Sequence, residues 1–369
     1  MLRILFSIIV AVHALIHIMG FVKAFNITEI KELTVPISKT MGILWLLAAL
    51  LFIAALIMFL AGKSMWWMLA APALILSQIL IFVYWQDAKF GALANIIILL
   101  PTVVAYGHSN MLSMAQHELS AMRPEHATSS TVTNAQLEEL PPVVANWLKN
   151  TNVIGRETIR RVHLKQTGEL RIKQDGKWMP FTAEQWFTTD EPNFLWLAHV
   201  NAGPGFYFIG RDKYVNGHGH MLIKILSLIP VADASGPKTD QGTMLRYLAE
   251  TVWFPTAALN NNITWEAIDS TSARATMTFK GVTASGEFTF NETGDVISFQ
   301  AQRYYGGGKD ATMETWFIEN TSDGFKELNG IRIPTKSTVT WKFDDGNFEW
   351  LRLEITDIEY NENAIRRMN

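Results

Sequence analysis

Two periodicities divide this chain. Through residue 108 the apolar positions run on almost without interruption, and beyond residue 134 they alternate with polar ones. The apolar part contains four runs, 4–22, 41–61, 66–85 and 91–106. A helix needs roughly 20 residues to cross a hydrocarbon core roughly 30 Å thick. The first three runs reach that length. The fourth is shorter and contains Pro101, which is expected to kink it or end it early. Trp45, Trp66, Trp67, Tyr84, Trp85 and Tyr106 sit where aromatic side chains mark a membrane interface. The first run begins after Arg3 like a secretory signal, but no small-x-small pattern closes it, and it reads as a retained helix.

From residue 155 the period is two. Thr276-Met277-Thr278-Phe279, Glu287-Phe288-Thr289-Phe290 and the stretch 349–355 (EWLRLEI) each place apolar side chains on one face. Turn pairs such as Asn216-Gly217 and Asn329-Gly330 separate the runs. Counting by this template predicts about ten antiparallel strands, enough to curl into an open or half-barrel sheet. One helical pattern interrupts them at 240–252, with Leu245, Leu248, Ala249 and Val252 on one stripe and Thr239 or Asp240 as its cap. The expected organisation is four transmembrane helices over 1–108, a linker over 109–133 and a β-rich soluble domain over 134–369. The fold class is an α-helical membrane region followed by a mainly-β domain crossed by one helix.

Charge and cysteine change the picture only by exclusion. The formal net charge is −3, so no basic field recruits nucleic acid. With no cysteine, thiol catalysis and cysteine-based metal sites are absent. Lys23, Lys31, Lys39 and Lys89 fall in the first and third loops, against Arg3, Lys63 and Arg123 on the other side. The positive-inside rule then sets both termini, and the soluble domain, outside the cytoplasm. The chain is expected to be an integral protein of a bacterial inner membrane.

Candidate chemistry is sparse. His13 and His17 share a helix face and read either as a ligand pair or proton relay, or as neutral histidines bonded to neighbouring helices. Ser77 and Gln78 read as interhelical hydrogen-bonding groups, and Asp87 with Lys89 as an interfacial pair. His108, His117 and His126 read as solvated. His218 and His220 share a strand face that could take zinc with His199 as third ligand, but nothing supplies a fourth, and no metal or other cofactor is expected. The glycine-rich stretches 201–205 and 306–309 lack the Lys-Ser/Thr of a phosphate loop. No nucleophile elbow is present.

The chain resembles, over nearly its full length, a bacterial family of uncharacterised membrane proteins defined by a domain of unknown function. The stretches that carry the likeness are 17–25 (HIMGFVKAF), 85–95 (WQDAKFGALAN), 140–148 (LPPVVANWL) and 240–258 (DQGTMLRYLAETVWFPTAA). The family implies no activity. In architecture the soluble part is similar to lipoprotein-carrier half-barrels, which shelter acyl chains under a curved sheet. Together with the aromatic load between residues 178 and 208, this points to a membrane-anchored module holding a lipid or other amphiphile. Its expected site residues are Arg246 as anion contact, Glu250, Trp253, Trp186, Trp196, Phe206 and Phe208. The alternatives are an enzyme on membrane substrates, drawing on Asp240, Glu250, His199 or His220, and a structural or sensory protein that binds another protein.

Overall fold

The apolar runs become helices because nothing in them offers the backbone a better partner than itself. The computed structural model describes residues 1–122, 130–306 and 310–364. Its chain falls into two compact units, one of Met1–Ser113 with Leu226–Leu228, the other of Met114–Ile225 with Ile229–Asn369. In the first unit lie α1 (Leu2–Ala24), α2 (Lys39–Leu60), α3 (Trp67–Val83) and the single turn α4 (Trp85–Ala88). α5 (Gly91–Ala121) follows. Four helices, α1, α2, α3 with its preceding turn, and α5, are long and apolar enough to cross a membrane.

Small residues let α1 and α2 approach closely. A Cβ at Gly20 would lie 2.4 Å from the Trp45 ring, and one at Gly42 would lie 2.3 Å from Ala24 Cβ. Arg3 closes the far end of α2, with Nη2 donating to the Phe59 and Leu60 carbonyls at 3.0 and 2.8 Å. Asp87 does not pair with Lys89. Its carboxylate accepts from the Thr34 and Val35 amides at 2.6 and 2.8 Å and from the Thr34 hydroxyl at 2.7 Å, pinning the first loop. Pro101 does not end its helix either: α5 continues to Ala121. A proline removes only one backbone hydrogen bond, and the rest of the long helix carries on past it. Arg123 and His126 lie outside the described residues.

In the second unit α6 (Asn134–Leu137) and α7 (Pro142–Asn150) precede the strands. Six strands then run as hairpins: β1 (Arg161–Leu170), β2 (Met179–Thr188), β3 (Asn193–Gly203), β4 (Phe206–Val215), β5 (His218–Ile225) and β6 (Ile229–Ser235). α8 (Pro237–Glu250) follows. The chain returns through β7 (Ile263–Ala267), β8 (Ser272–Phe279), β9 (Val282–Phe290), β10 (Val296–Tyr305) and β11 (Thr312–Asn320). It ends with β12 (Phe325–Leu328), β13 (Ile331–Pro334), β14 (Lys336–Phe343) and β15 (Gly346–Tyr360).

Thirteen of these strands form one antiparallel sheet, in the order β6-β5-β4-β3-β2-β1-β15-β14-β11-β10-β9-β8-β7, while β12 and β13 form a separate ribbon. The count exceeds the ten expected partly because the apolar run 221–231 is a hairpin. It reverses at Leu226 and Ser227, which hold φ of 50° and 61° without being glycine, so no turn residue announces it. Asn216-Gly217 behaves as its composition predicts, with φ of 56° and 84° at the β4–β5 reversal.

The sheet curls around α8. The helix touches β4, β5 and β6 near one end of the strand order and β8, β9 and β10 near the other. A sheet can meet one helix from both ends only by wrapping it, which makes this a half-barrel. At one rim the two ends also meet, where Lys280 Nζ donates to Asn216 Oδ1 at 3.1 Å. The main core lies between α8 and the concave face, with Met244, Leu245, Tyr247 and Leu248 against Phe187, Phe194, Phe288 and Phe299. α8 begins at Pro237 after Gly236 rather than at Thr239 or Asp240. Asp240 is not its cap: Oδ1 accepts from the Gly219 amide at 2.7 Å, tying the helix to β5.

Candidate functional site

Strand periodicity and register decide which side chains face α8. Arg246 of α8 stacks over Phe194 and Trp196 of β3, its guanidinium carbon 5.1 and 4.8 Å from the ring centres. Gln185 on β2 and Asp212 on β4 stand opposite Trp196 in register and therefore share this concave face. Arg246 Nη1 donates to Asp212 Oδ2 at 2.7 Å and Nε donates to Glu250 Oε1 at 2.8 Å. Glu250 Oε2 accepts from Gln185 Nε2 at 2.7 Å. Gln166 of β1 completes the row, donating to Gln185 Oε1 at 3.3 Å and accepting from Trp196 Nε1 at 2.8 Å. Burial alone would lower the pKa of Arg246, but Glu250 and Asp212 outweigh it and hold the guanidinium above its ordinary value.

A second guanidinium belongs to the same layer. Arg303 of β10 follows Phe299 and Ala301 at period two and so points inward with them. Its guanidinium carbon lies 4.5 Å from the Trp316 ring centre and 5.8 Å from that of Trp341. On the helix side it rests against Gly242, where a Cβ would come 3.2 Å from Nε. Glycine inside a helix costs about 1 kcal/mol relative to alanine, and here it makes room for this arginine. Burial lowers the pKa of Arg303 to about 10, with Asp212 and Glu250 opposing the shift and Arg246 adding to it. The four charged groups thus feel one another.

Beyond this layer the concave face is apolar. Phe181, Ala183, Ala198 and Val200 are buried there, bordered by the half-buried Leu170, Met179, Phe208, Leu351 and Leu353. No residue of α8 belongs to this cluster. Small side chains, Ala183, Ala198 and Gly210, make its floor.

The expected site residues are therefore divided by the sheet. Arg246, Glu250, Trp196 and Phe208 come together on the concave side. Phe206 sits at the start of β4, largely exposed and edge-on to Phe208 with centres 5.8 Å apart. Trp253 is core, its Nε1 donating to the Pro334 carbonyl at 3.1 Å, and Arg246 stacks on other rings. Trp186 points the opposite way, because it neighbours Gln185 in an alternating strand. It packs with Ala115, Met122 and Leu195 and stacks on His163 at 4.9 Å.

The acid–base candidates do not converge. His199 lies opposite Ile209, on the face away from Trp196, and stacks on Tyr207 with centres 4.5 Å apart. His220 lies on that face too. It accepts from Arg211 Nη2 at Nδ1 (2.7 Å) and therefore donates from Nε2 to Asp233 Oδ1 (2.7 Å). His218 is exposed, 3.5 Å from Asp240. Among the described residues no group of three or more His, Cys, Asp or Glu side chains is placed to hold a metal ion. Sequence reading missed Arg303, Asp212, Gln185 and Gln166. The signal for the first was available: an arginine on the apolar side of the alternation Phe299-x-Ala301-x-Arg303-x-Tyr305.

A helical region long enough to span a membrane, joined to an antiparallel half-barrel with a charged layer beside an apolar strip, defines the class of protein. The chain belongs to a family of unknown function, DUF6544, whose model matches residues 130–353. No curated protein matches it. Among solved structures it is similar to a DUF1329 family protein from Desulfovibrio piger, at 9% identity, covering 63% of this chain and 95% of that one with a TM-score of 0.33. It is also similar to a protein domain from Vibrio parahaemolyticus described as outer membrane lipoprotein-sorting, at 9% identity, covering 62% and 96% with a TM-score of 0.34.

Proposed function

We propose that the β unit is a binding module, tethered to a bilayer by the four helices, that holds a lipid or other amphiphile on the concave side of its sheet. The observation that carries this reading is the juxtaposition on one face of a charged layer (Asp212, Arg246, Glu250, Arg303) and an apolar strip (Phe181, Ala183, Ala198, Val200) free of α8 side chains. Ligand sites are built this way, mostly apolar with a few placed polar groups that orient the ligand. The apolar strip supplies area and the charged layer supplies direction. The acid–base candidates that catalysis would need together lie on different faces, which favours binding over chemistry.

The test is native mass spectrometry of the full chain released from detergent micelles, followed by extraction. One amphiphile per chain is expected. Ala198→Trp, which fills the floor of the strip, should abolish it. An empty wild-type chain that also fails to take up an added long-chain fatty acid would remove the reading. The lysines of the first and third loops support a β unit outside the cytoplasm of a bacterial inner membrane. A C-terminal alkaline phosphatase fusion should then be active, and an inactive one would reverse the orientation.

A further inference from the structure

Three arginines pack against the sheet faces of the β unit with little or partial exposure, and two of them are spoken for. Arg211 donates to the His220 carbonyl at 2.8 Å and lies 3.1 Å from Glu118. Arg246 holds two carboxylates. Among the described residues Arg303 makes no hydrogen bond and no ion pair; what it touches are the Trp316 and Trp341 rings and Gly242. Its register partner Glu314 stands on the same face yet makes no ion pair with it. The guanidinium has five N–H donors, and the residue as a whole is half-buried rather than fully enclosed. A second orphan sits in the same layer. Asp212 gives Oδ2 to Arg246, while its Oδ1 is buried with no partner. Asp212 and Arg303 influence each other electrostatically without forming an ion pair. The layer therefore holds unused donors on Arg303 and an unused acceptor on Asp212.

We propose that Arg303, not Arg246, recognises the ligand, and that it takes an anionic group (a carboxylate or phosphate) carrying a hydrogen-bond donor for Asp212 Oδ1. This deepens the amphiphile reading and rests on it for the apolar remainder of the ligand. A guanidinium presents paired donors that match the two oxygens of such an anion. The Trp316 and Trp341 faces hold its plane, so little side-chain freedom is lost on binding. Arg246 is unsuited because an incoming anion would have to displace Asp212 or Glu250 from a closed pair. Gly242 is a positioning residue: a methyl there would lie 3.2 Å from Nε and shift it by a few tenths of an ångström.

The test uses the full chain in a non-ionic maltoside detergent, with lysophosphatidic acid, a long-chain fatty acid and the uncharged monoacylglycerol as probes. The wild type should prefer either anion over the uncharged probe by about tenfold or more, the factor one charge-assisted hydrogen bond is worth. Arg303→Met should lose that preference while binding the monoacylglycerol as before, Arg303→Lys should keep part of it, and Gly242→Ala should weaken the anions only. Inorganic phosphate that binds in an Arg303-dependent way while no amphiphile binds would keep the anion site and remove the lipid. Equal binding of charged and uncharged probes by wild type and Arg303→Met would overturn the anion role and leave the binding module standing. Binding of none of the probes, phosphate included, would overturn both. A lowered melting temperature for Arg303→Met with unchanged binding would make Arg303 a packing residue.

Discussion

Each unit buries a polar cluster in apolar surroundings, and the two are built on opposite plans. In the helical unit His13, His17, Ser77, Asn95 and Gln78 close on one another. His17 Nδ1 donates to the His13 carbonyl at 2.8 Å, and its Nε2 shares a hydrogen bond with Ser77 at 2.9 Å. His13 Nε2 lies 2.9 Å from Asn95 Oδ1, and Asn95 Nδ2 donates to Gln78 Oε1 at 3.0 Å. This joins α1, α3 and α5 and leaves none of these five side chains with an orphaned buried atom among the described residues. The arrangement supports the reading of histidines bonded to neighbouring helices, each polar group finding its partner inside the bundle. The layer in the half-barrel satisfies Arg246 and Glu250 but leaves Arg303 and one oxygen of Asp212 open. A fully satisfied cluster specifies a structure, whereas a half-satisfied one costs more than an apolar core.

That contrast can be broken by removing one member at a time. The largest effect is expected from Arg246→Met, which removes the one cation that Asp212 and Glu250 bond directly; breaking a buried pair in this way costs about 3–5 kcal/mol. Urea denaturation followed by tryptophan fluorescence should show it, and a loss below 1 kcal/mol would mean the layer is wetter than its burial indicates. A second closed pair sharpens the comparison. Asp295 is held by Arg332 through two bonds of 2.8 and 2.9 Å and by Asn150 at 2.8 Å. Burial alone would push its carboxyl up, but the Arg332 hydrogen bonds and charge, with smaller help from Thr293 and Asn291, prevail and hold it below the ordinary range. A depressed carboxylate stabilises above its unfolded pKa, about 3.9, and that contribution disappears as pH falls through the folded value. Asp295→Asn should therefore cost about 2 kcal/mol at pH 7. It should also flatten the loss of stability below about pH 4; an unchanged acid limb would show that other carboxylates control it.

Smaller effects are expected from the other two changes. Asn95→Leu removes hydrogen bonds inside the helical unit, where each is worth roughly 0.6 kcal/mol and at most about 2. Steric trapping or detergent titration of the full chain should detect a fall of about 1 kcal/mol. The smallest shift, and of opposite sign, belongs to Arg303→Met. Replacing an unpaired, half-buried charge by an apolar side chain of similar length should leave stability unchanged or raise it by up to about 1 kcal/mol. A destabilisation similar to that of Arg246→Met would erase the distinction between the two arginines.

Some of this molecule follows from local pattern alone. A hydrocarbon interior demands length and apolarity, so the four long helices are visible as runs, and a half-buried sheet demands alternation, so most strands and the Arg246–Glu250 pair of α8 are visible as spacing. Short edge elements and the reversal at Leu226-Ser227 are not visible, because their conformations are imposed by neighbours rather than by their own residues. The site divides in the same way. Its aromatic richness could be read along the chain, but Trp186 and Trp196 look equivalent there, and only the strand faces separate one from the other. Arg246 drew attention because its partner is four residues away. Arg303 meets Trp316, Trp341 and Gly242 from three distant segments, and its lack of an acceptor is a property of the curled sheet. Periodicity is a local quantity and the sequence determined it; which buried charge goes unanswered depends on every element packed around it, and only the tertiary structure decided that.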